Sequence, residues 1–183
     1  AYGNWSSSEK NAQIYFGAGA YLAKGTMGNK SGSINTRAMN SVVGYAQLGL
    51  KSGFIMPFLY GEFGQSEQTT EATSVGNTNM SGSSQLAGLG LKINMQRVYV
   101  SATYLPIGSY SLSRSTSGNQ NVTYLEPLGF TAQIGFNTDW FQFFVQRRQV
   151  EYSKQKLGST ITNLNDNKIV QEDWGGGIQW GFT

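Results

Sequence analysis

Apolar residues and small or polar residues exchange places with a period of two along eight stretches of the chain. That spacing puts successive side chains on opposite faces of a β-strand. The stretches are 13–23, 42–51, 54–64, 85–95, 97–107, 125–136, 140–150 and 174–182. In the first, Ile14, Phe16, Ala18, Ala20 and Leu22 share one face, and Tyr15, Gly17, Gly19 and Tyr21 share the other. In the last, Trp174, Ile178, Trp180 and Phe182 oppose Gly175, Gly177, Gln179 and Gly181. Three connections are very short: Lys51-Ser52-Gly53, Asn94-Met95-Gln96 and Asn137-Thr138-Asp139. They carry turn-forming residues. The other four, about 24–41, 65–84, 108–124 and 151–173, are long and rich in Ser, Thr, Asn and Gly. Short and long connections alternate. This predicts an antiparallel up-and-down meander, with the short turns at one end and the long polar loops at the other, in one domain over residues 1–183.

The chemistry of the two faces decides which is outside. The apolar face is built of large residues such as Leu, Ile, Val, Phe and Trp on all eight stretches, and the opposite face is Gly, Tyr, Gln, Ser and Thr with a few charges. A barrel of eight strands has an interior that side chains just fill. Glycines at 17, 19, 88, 90, 135, 175 and 177 would make room there for Tyr15, Tyr21, Tyr45, Tyr60 and Tyr99. The apolar face would then meet lipid, and closure would satisfy every backbone polar group, which lipid cannot do. No charge interrupts the apolar face mid-stretch, as expected where Arg or Lys costs about 2–4 kcal/mol. The fold class is therefore all-β: an eight-stranded antiparallel transmembrane barrel, apolar face outward. The competing arrangement is a soluble lipocalin-like carrier with Leu and Phe turned inward.

Charged residues make up 13% of the chain, about half the usual ~25%. There is no Cys and no His, which removes thiol catalysis, His-based triads and the common zinc sites. No metal or cofactor site is expected, and no acid–base constellation for an enzyme is present. The net charge is +3, but the basic residues are scattered, so nucleic-acid binding is not expected. No apolar run approaches the ~20 residues of a spanning helix. The start, Ala1-Tyr2-Gly3-Asn4, lacks the basic and apolar regions of a signal peptide, so the numbering is expected to begin after signal removal.

The meander with its short turns and long polar loops resembles the small outer-membrane barrels of Gram-negative bacteria, the OmpA/OmpX type. The stretch Trp174-x-Gly176-x-Ile178-x-Trp180-x-Phe182 is similar to the C-terminal signal read by the outer-membrane insertion machinery, although Thr183 follows the terminal aromatic. The resemblance implies residence in the bacterial outer membrane and contact with its lipid and lipopolysaccharide. It also implies recognition by that machinery through the last strand. Two enzymes of this architecture, a lipid A deacylase and a palmitoyltransferase, rely on a His that this chain lacks. The expected role is therefore non-enzymatic: envelope-structural, or surface interaction through the loops with an external protein. The alternative is a narrow channel for ions or small solutes.

Strand parity turns four charges inward. Glu62 and Arg148 lie at similar height and are expected to pair as a lumen plug or gate; Lys51 and Lys92 are expected at a hydrated mouth near the short turns. Interface aromatics are expected at Phe136, Phe141, Trp180 and Phe182 on the short-turn side, and at Phe63, Tyr104 and Trp174 on the long-loop side. Lys24, Lys30, Arg37, Arg114, Arg147, Lys154 and Lys156 are candidates for contact with lipopolysaccharide phosphates. The adjacent pair Glu172-Asp173 reads as solvated loop.

Overall fold

In a computed structural model, the protein is described over residues 12–31, 37–69, 79–114, 121–138 and 140–182. The strands are β1 (Gln13–Asn29), β2 (Arg37–Lys51), β3 (Ile55–Thr69), β4 (Asn79–Met95), β5 (Val98–Arg114), β6 (Val122–Asn137), β7 (Gln142–Leu157), β8 (Thr160–Asn163) and β9 (Ile169–Phe182). Eight long strands pair antiparallel with their neighbours in chain order, and β9 closes the sheet between β7 and β1. The short β8 pairs only with the upper end of β7. Closure leaves no sheet edge within the belt that the strands form.

The apolar face points out. Leu48, Leu89, Phe130 and Phe143 are 49%, 58%, 58% and 46% exposed. One cross-strand row runs Phe16, Leu48, Leu59, Leu89, Tyr104 and Phe130 around six strands. The glycines, Tyr and Gln line the interior, so the lipocalin-like arrangement is corrected: its inward Leu and Phe would have to occupy space already filled by Tyr15, Tyr21, Tyr45, Tyr60, Tyr99 and Phe144, all buried.

Glycine and aromatic positions interlock across strands. A Cβ on Gly19 would lie 2.7 Å from the Tyr45 ring, and one on Gly135 would lie 2.4 Å from Tyr99. Gly90 clears space for Phe58 rather than for a tyrosine, its Cβ meeting the ring at 2.1 Å. Gly88 instead allows a close backbone approach, where a Cβ would sit 1.8 Å from the Tyr104 carbonyl oxygen beside the β4–β5 bulge. Gly90→Val is therefore expected to cost about 1–3 kcal/mol through overpacking. Urea titration of the detergent-folded protein measures it, with Gly44→Val as the control, since a Cβ on Gly44 meets nothing within 4 Å.

The strands run further than the alternation indicated. Much of the sequence read as long loop continues as paired strand: β1 reaches Asn29, β3 reaches Thr69 and β5 reaches Arg114. Above the belt the outward face is Lys24, Thr26, Asn40, Gln65, Glu67, Ser81 and Ser113, so the apolar half of the pattern disappears while the ladder persists. Two irregularities also change parity. The register shifts between Ala87 and Leu89 against β5, and Glu126 takes a φ of 54° on β6. Tyr104 therefore faces out and Tyr110 in, although both numbers are even.

Candidate functional site

The lumen is filled in layers. At its middle, β7 places Arg148 directly opposite Asp173 on β9, and Glu62 projects from β3 on the far wall, four strands away. Arg148 donates through Nε and Nη2 to Asp173 Oδ2 at 3.1 and 2.8 Å, and through Nη1 to Glu62 Oε1. The other Glu62 oxygen accepts from Tyr21 at 3.0 Å and from Tyr60 at 2.6 Å. Gln171 donates to Asp173 at 3.0 Å and accepts from Tyr152 at 3.4 Å. All three charged side chains are buried, and the guanidinium also lies over the Tyr21 ring at 5.9 Å. A buried charge needs a counter-charge and hydrogen bonds to its remaining atoms. Here the guanidinium links two carboxylates on opposite walls. The cluster sums to one negative charge.

Aromatic rings close the space below it. Tyr45 stacks on Tyr60 with centroids 5.5 Å apart, and Phe144 meets Tyr45 and Tyr21 edge-on at 5.9 and 6.2 Å. Lower still, Gln179 is fully engaged. Its carbonyl accepts from Tyr45 at 3.0 Å and Lys92 at 3.5 Å, and its amide donates to Tyr15 at 2.6 Å and Gln47 at 3.1 Å.

The structure thus brings Glu62 and Arg148 together. Asp173, read from the sequence as solvated loop, is corrected: it is a buried member of the same cluster. The parity of Gly175, Gly177 and Gln179, extended two residues upward, would have found it. Lys92 is also corrected. It is buried rather than hydrated, because Gln142 reaches its ammonium at 3.0 Å and the ring of Tyr99 covers it at 4.4 Å. Lys51 is partly exposed at the short-turn mouth.

On the outside, Phe136, Trp180, Phe63, Tyr104 and Trp174 are exposed on the apolar face, and Phe141 packs edge-on against Phe143 at 5.0 Å. Phe182 ends β9 opposite Phe16, and its side chain lies outside those described, as does that of Arg114 at the end of β5. Thr183 is likewise outside the described residues. The short-turn side carries two more exposed aromatics that alternation does not assign, Phe54 and Trp140.

The seven candidate cations have different settings. Lys30 pairs with Glu151 at 2.9 Å, Lys154 pairs with Glu126, and Arg37 donates to the Met80 sulfur at 3.1 Å. Lys156 is exposed near the end of β7. Lys24 and Arg147 form an outward row with Trp174 between them: Lys24 is opposite Trp174 on β9, and Trp174 is opposite Arg147 on β7. The Arg147 guanidinium lies over the Trp174 ring at 5.6 Å. Leu22 and Val145 lie immediately below, so this row caps the apolar belt on that side.

The closed antiparallel meander has solved counterparts. The crystal structure of neisserial surface protein A matches at a TM-score of 0.60 and 15% identity, over 94% of this chain and 99% of that one. The fold is that of the small outer-membrane β-barrels. Ail, the attachment invasion locus protein of Yersinia pestis, matches at 0.58 and 14% identity, over 93% and 99% of the two chains. OprG of Pseudomonas aeruginosa matches at 0.52 and 10%, over 93% and 96%. Ail has also been solved in complex with the heparin analogue sucrose octasulfate. No protein-family model and no curated protein sequence matches the chain. The chain has the architecture of an integral outer-membrane β-barrel, the fold of these neighbours.

Proposed function

We propose that this barrel is a non-conducting, non-enzymatic protein of the outer membrane that works through its outer rim, with the short turns on the periplasmic side. The observation that carries the reading is the filled lumen. The Arg148 cluster and the stacked rings of Tyr45, Tyr60 and Phe144 occupy the bore at successive heights, leaving chemistry only at the two ends and on the wall. Its last strand, ending Trp180-Gly181-Phe182, would be the segment read by the insertion machinery.

The row Lys24–Trp174–Arg147 is the part of the wall suited to lipopolysaccharide. Two cations stand two strand spacings apart, about 10 Å at the backbone, with an interfacial tryptophan between them. Ammonium and guanidinium groups at that height would bind the phosphates of the outer leaflet. That Ail, a protein of this fold, has been solved with a sulfated heparin analogue supports an anion-binding role. At about 1 kcal/mol per cation, Lys24→Ala with Arg147→Ala is expected to weaken binding to immobilised lipopolysaccharide about 30-fold. Unchanged binding would remove this row from the reading.

Planar-bilayer recordings test the closed lumen. The wild-type protein and Glu62→Gln are both expected to give no stepwise conductance. Steps in the wild type would favour a channel. Steps confined to Glu62→Gln would make the Glu62–Arg148 pair a gate.

A further inference from the structure

The short-turn mouth holds a charge with no counter-charge among the described residues. The lumen opens there as a cavity of about 580 Å3, whose lining includes Tyr15, Lys51, Met56, Lys92, Asn137 and Gln142. Lys92 is 1% exposed. Its ammonium touches the amide oxygens of Gln142 at 3.0 Å and Gln179 at 3.5 Å, and the rings of Tyr99 and Tyr15 at 4.4 and 5.6 Å. Every one of these partners is neutral. Among the described residues the lumen's buried carboxylates are Glu62 and Asp173, and both are bound to Arg148 in the layer above. Among the described residues, no Asp or Glu lines the cavity, and neither Lys92 nor Lys51 shares an ion pair.

That arrangement is unfavourable for folding alone. A buried ammonium with only neutral partners costs more than a methionine of similar length would in the same layer. The Tyr99 ring covers the ammonium, and its hydroxyl is buried with no hydrogen-bond partner among the described residues. The neighbouring amides are fixed so as to leave the ammonium in place. Gln142 donates to Asn137 at 2.7 Å, which turns its oxygen toward Lys92. The cavity therefore combines one buried cation, one partly exposed cation at the entrance and apolar walls from Met56 and Tyr15. It has the charge and depth of an anion site.

We propose that the short-turn vestibule binds a small oxyanion, a free phosphate or carboxylate. Lys92 is its buried charge partner and Lys51 its entrance cation. The site is independent of the outer-wall row, which lies at the upper edge of the apolar belt.

Calorimetric titration of the detergent-folded protein at low ionic strength tests this, with sodium phosphate and sodium succinate as separate probes. One-to-one binding of at least one probe is expected. Lys92→Met should weaken it about tenfold or more, as loss of a charge-assisted hydrogen bond does, and Lys51→Met should weaken it less. Lys24→Ala with Arg147→Ala should leave it unchanged. Heat-dependent gel mobility checks that each variant is folded, and if Lys92→Met fails to fold, the weakening by Lys51→Met carries the test. Absence of binding to both probes would overturn the proposal, as would binding unaffected by the folded lysine variants. Glu9 and Asp139 lie outside the described residues. If binding appears only after Glu9→Gln or Asp139→Asn, the chain's own carboxylate fills the site, and the free-anion assignment is overturned.

Discussion

Arg148→Leu is expected to lower folding stability by about 3–5 kcal/mol, because it leaves two buried carboxylates facing each other with no cation between them. Glu62 would keep its bonds from Tyr21 and Tyr60, and Asp173 its bond from Gln171, but neither set supplies a positive charge. The loss should depend on the partners left behind. In the triple variant Arg148→Leu, Glu62→Gln, Asp173→Asn, most of the stability should return, since replacing a whole buried ionic group is often neutral. Equilibrium urea titrations of the protein folded in detergent micelles measure both. An equal loss in the single and triple variants would mean that Arg148 acts by volume rather than by charge.

The second large effect belongs to the outer face. Leu59 stands in the middle of the outward row, between Leu48 on β2 and Leu89 on β4, and is exposed. Leu59→Arg is expected to cost about 2–4 kcal/mol when the protein is folded into lipid bilayers, the range for a cation at the bilayer midplane. The same substitution at Ser81, outward but above the belt, should change stability by no more than about 0.5 kcal/mol. Equal costs at the two positions would mean that neither site senses lipid.

Parity explains how much of this was readable in the sequence. Wherever one face of a strand is apolar and the other small or polar, period-two alternation assigns every side chain to wall or lumen. That is why Leu48, Leu89 and Phe130 fall outside and Tyr15, Tyr45 and Tyr99 inside. The signal fails for physical reasons in three places. Above the belt the outward face is polar and the inward face mixes Met27, Met80 and Leu112 with Ser66 and Gln68, so the apolar-against-small alternation is lost and the upper halves of β1, β3 and β5 look like loop. At the β4–β5 register shift one extra residue reverses the parity of β5, which separates Tyr104 from Tyr110, and the left-handed backbone at Glu126 accompanies the same reversal on β6.

Stagger between strands is the third. Arg148 and Glu62 could be matched by height along their own strands. The cross-strand partnership of Arg148 with Asp173 depends on the β7–β9 register, which no local pattern records. The same holds for Lys92, whose burial is set by Gln142 from β7 and Gln179 from β9.

The most direct measurement is the environment of single spin labels. The chain has no cysteine, so each introduced one is unique. Labels at Leu48, Leu89, Phe130 and Phe143 in bilayer-reconstituted protein should collide freely with lipid-dissolved oxygen and poorly with a water-soluble nickel chelate. Labels at Ser101 and Thr103, which face the lumen, should be immobilised and reached by neither. Immobilised labels at the four apolar positions, with lipid contact at Ser101 and Thr103, would contradict the account.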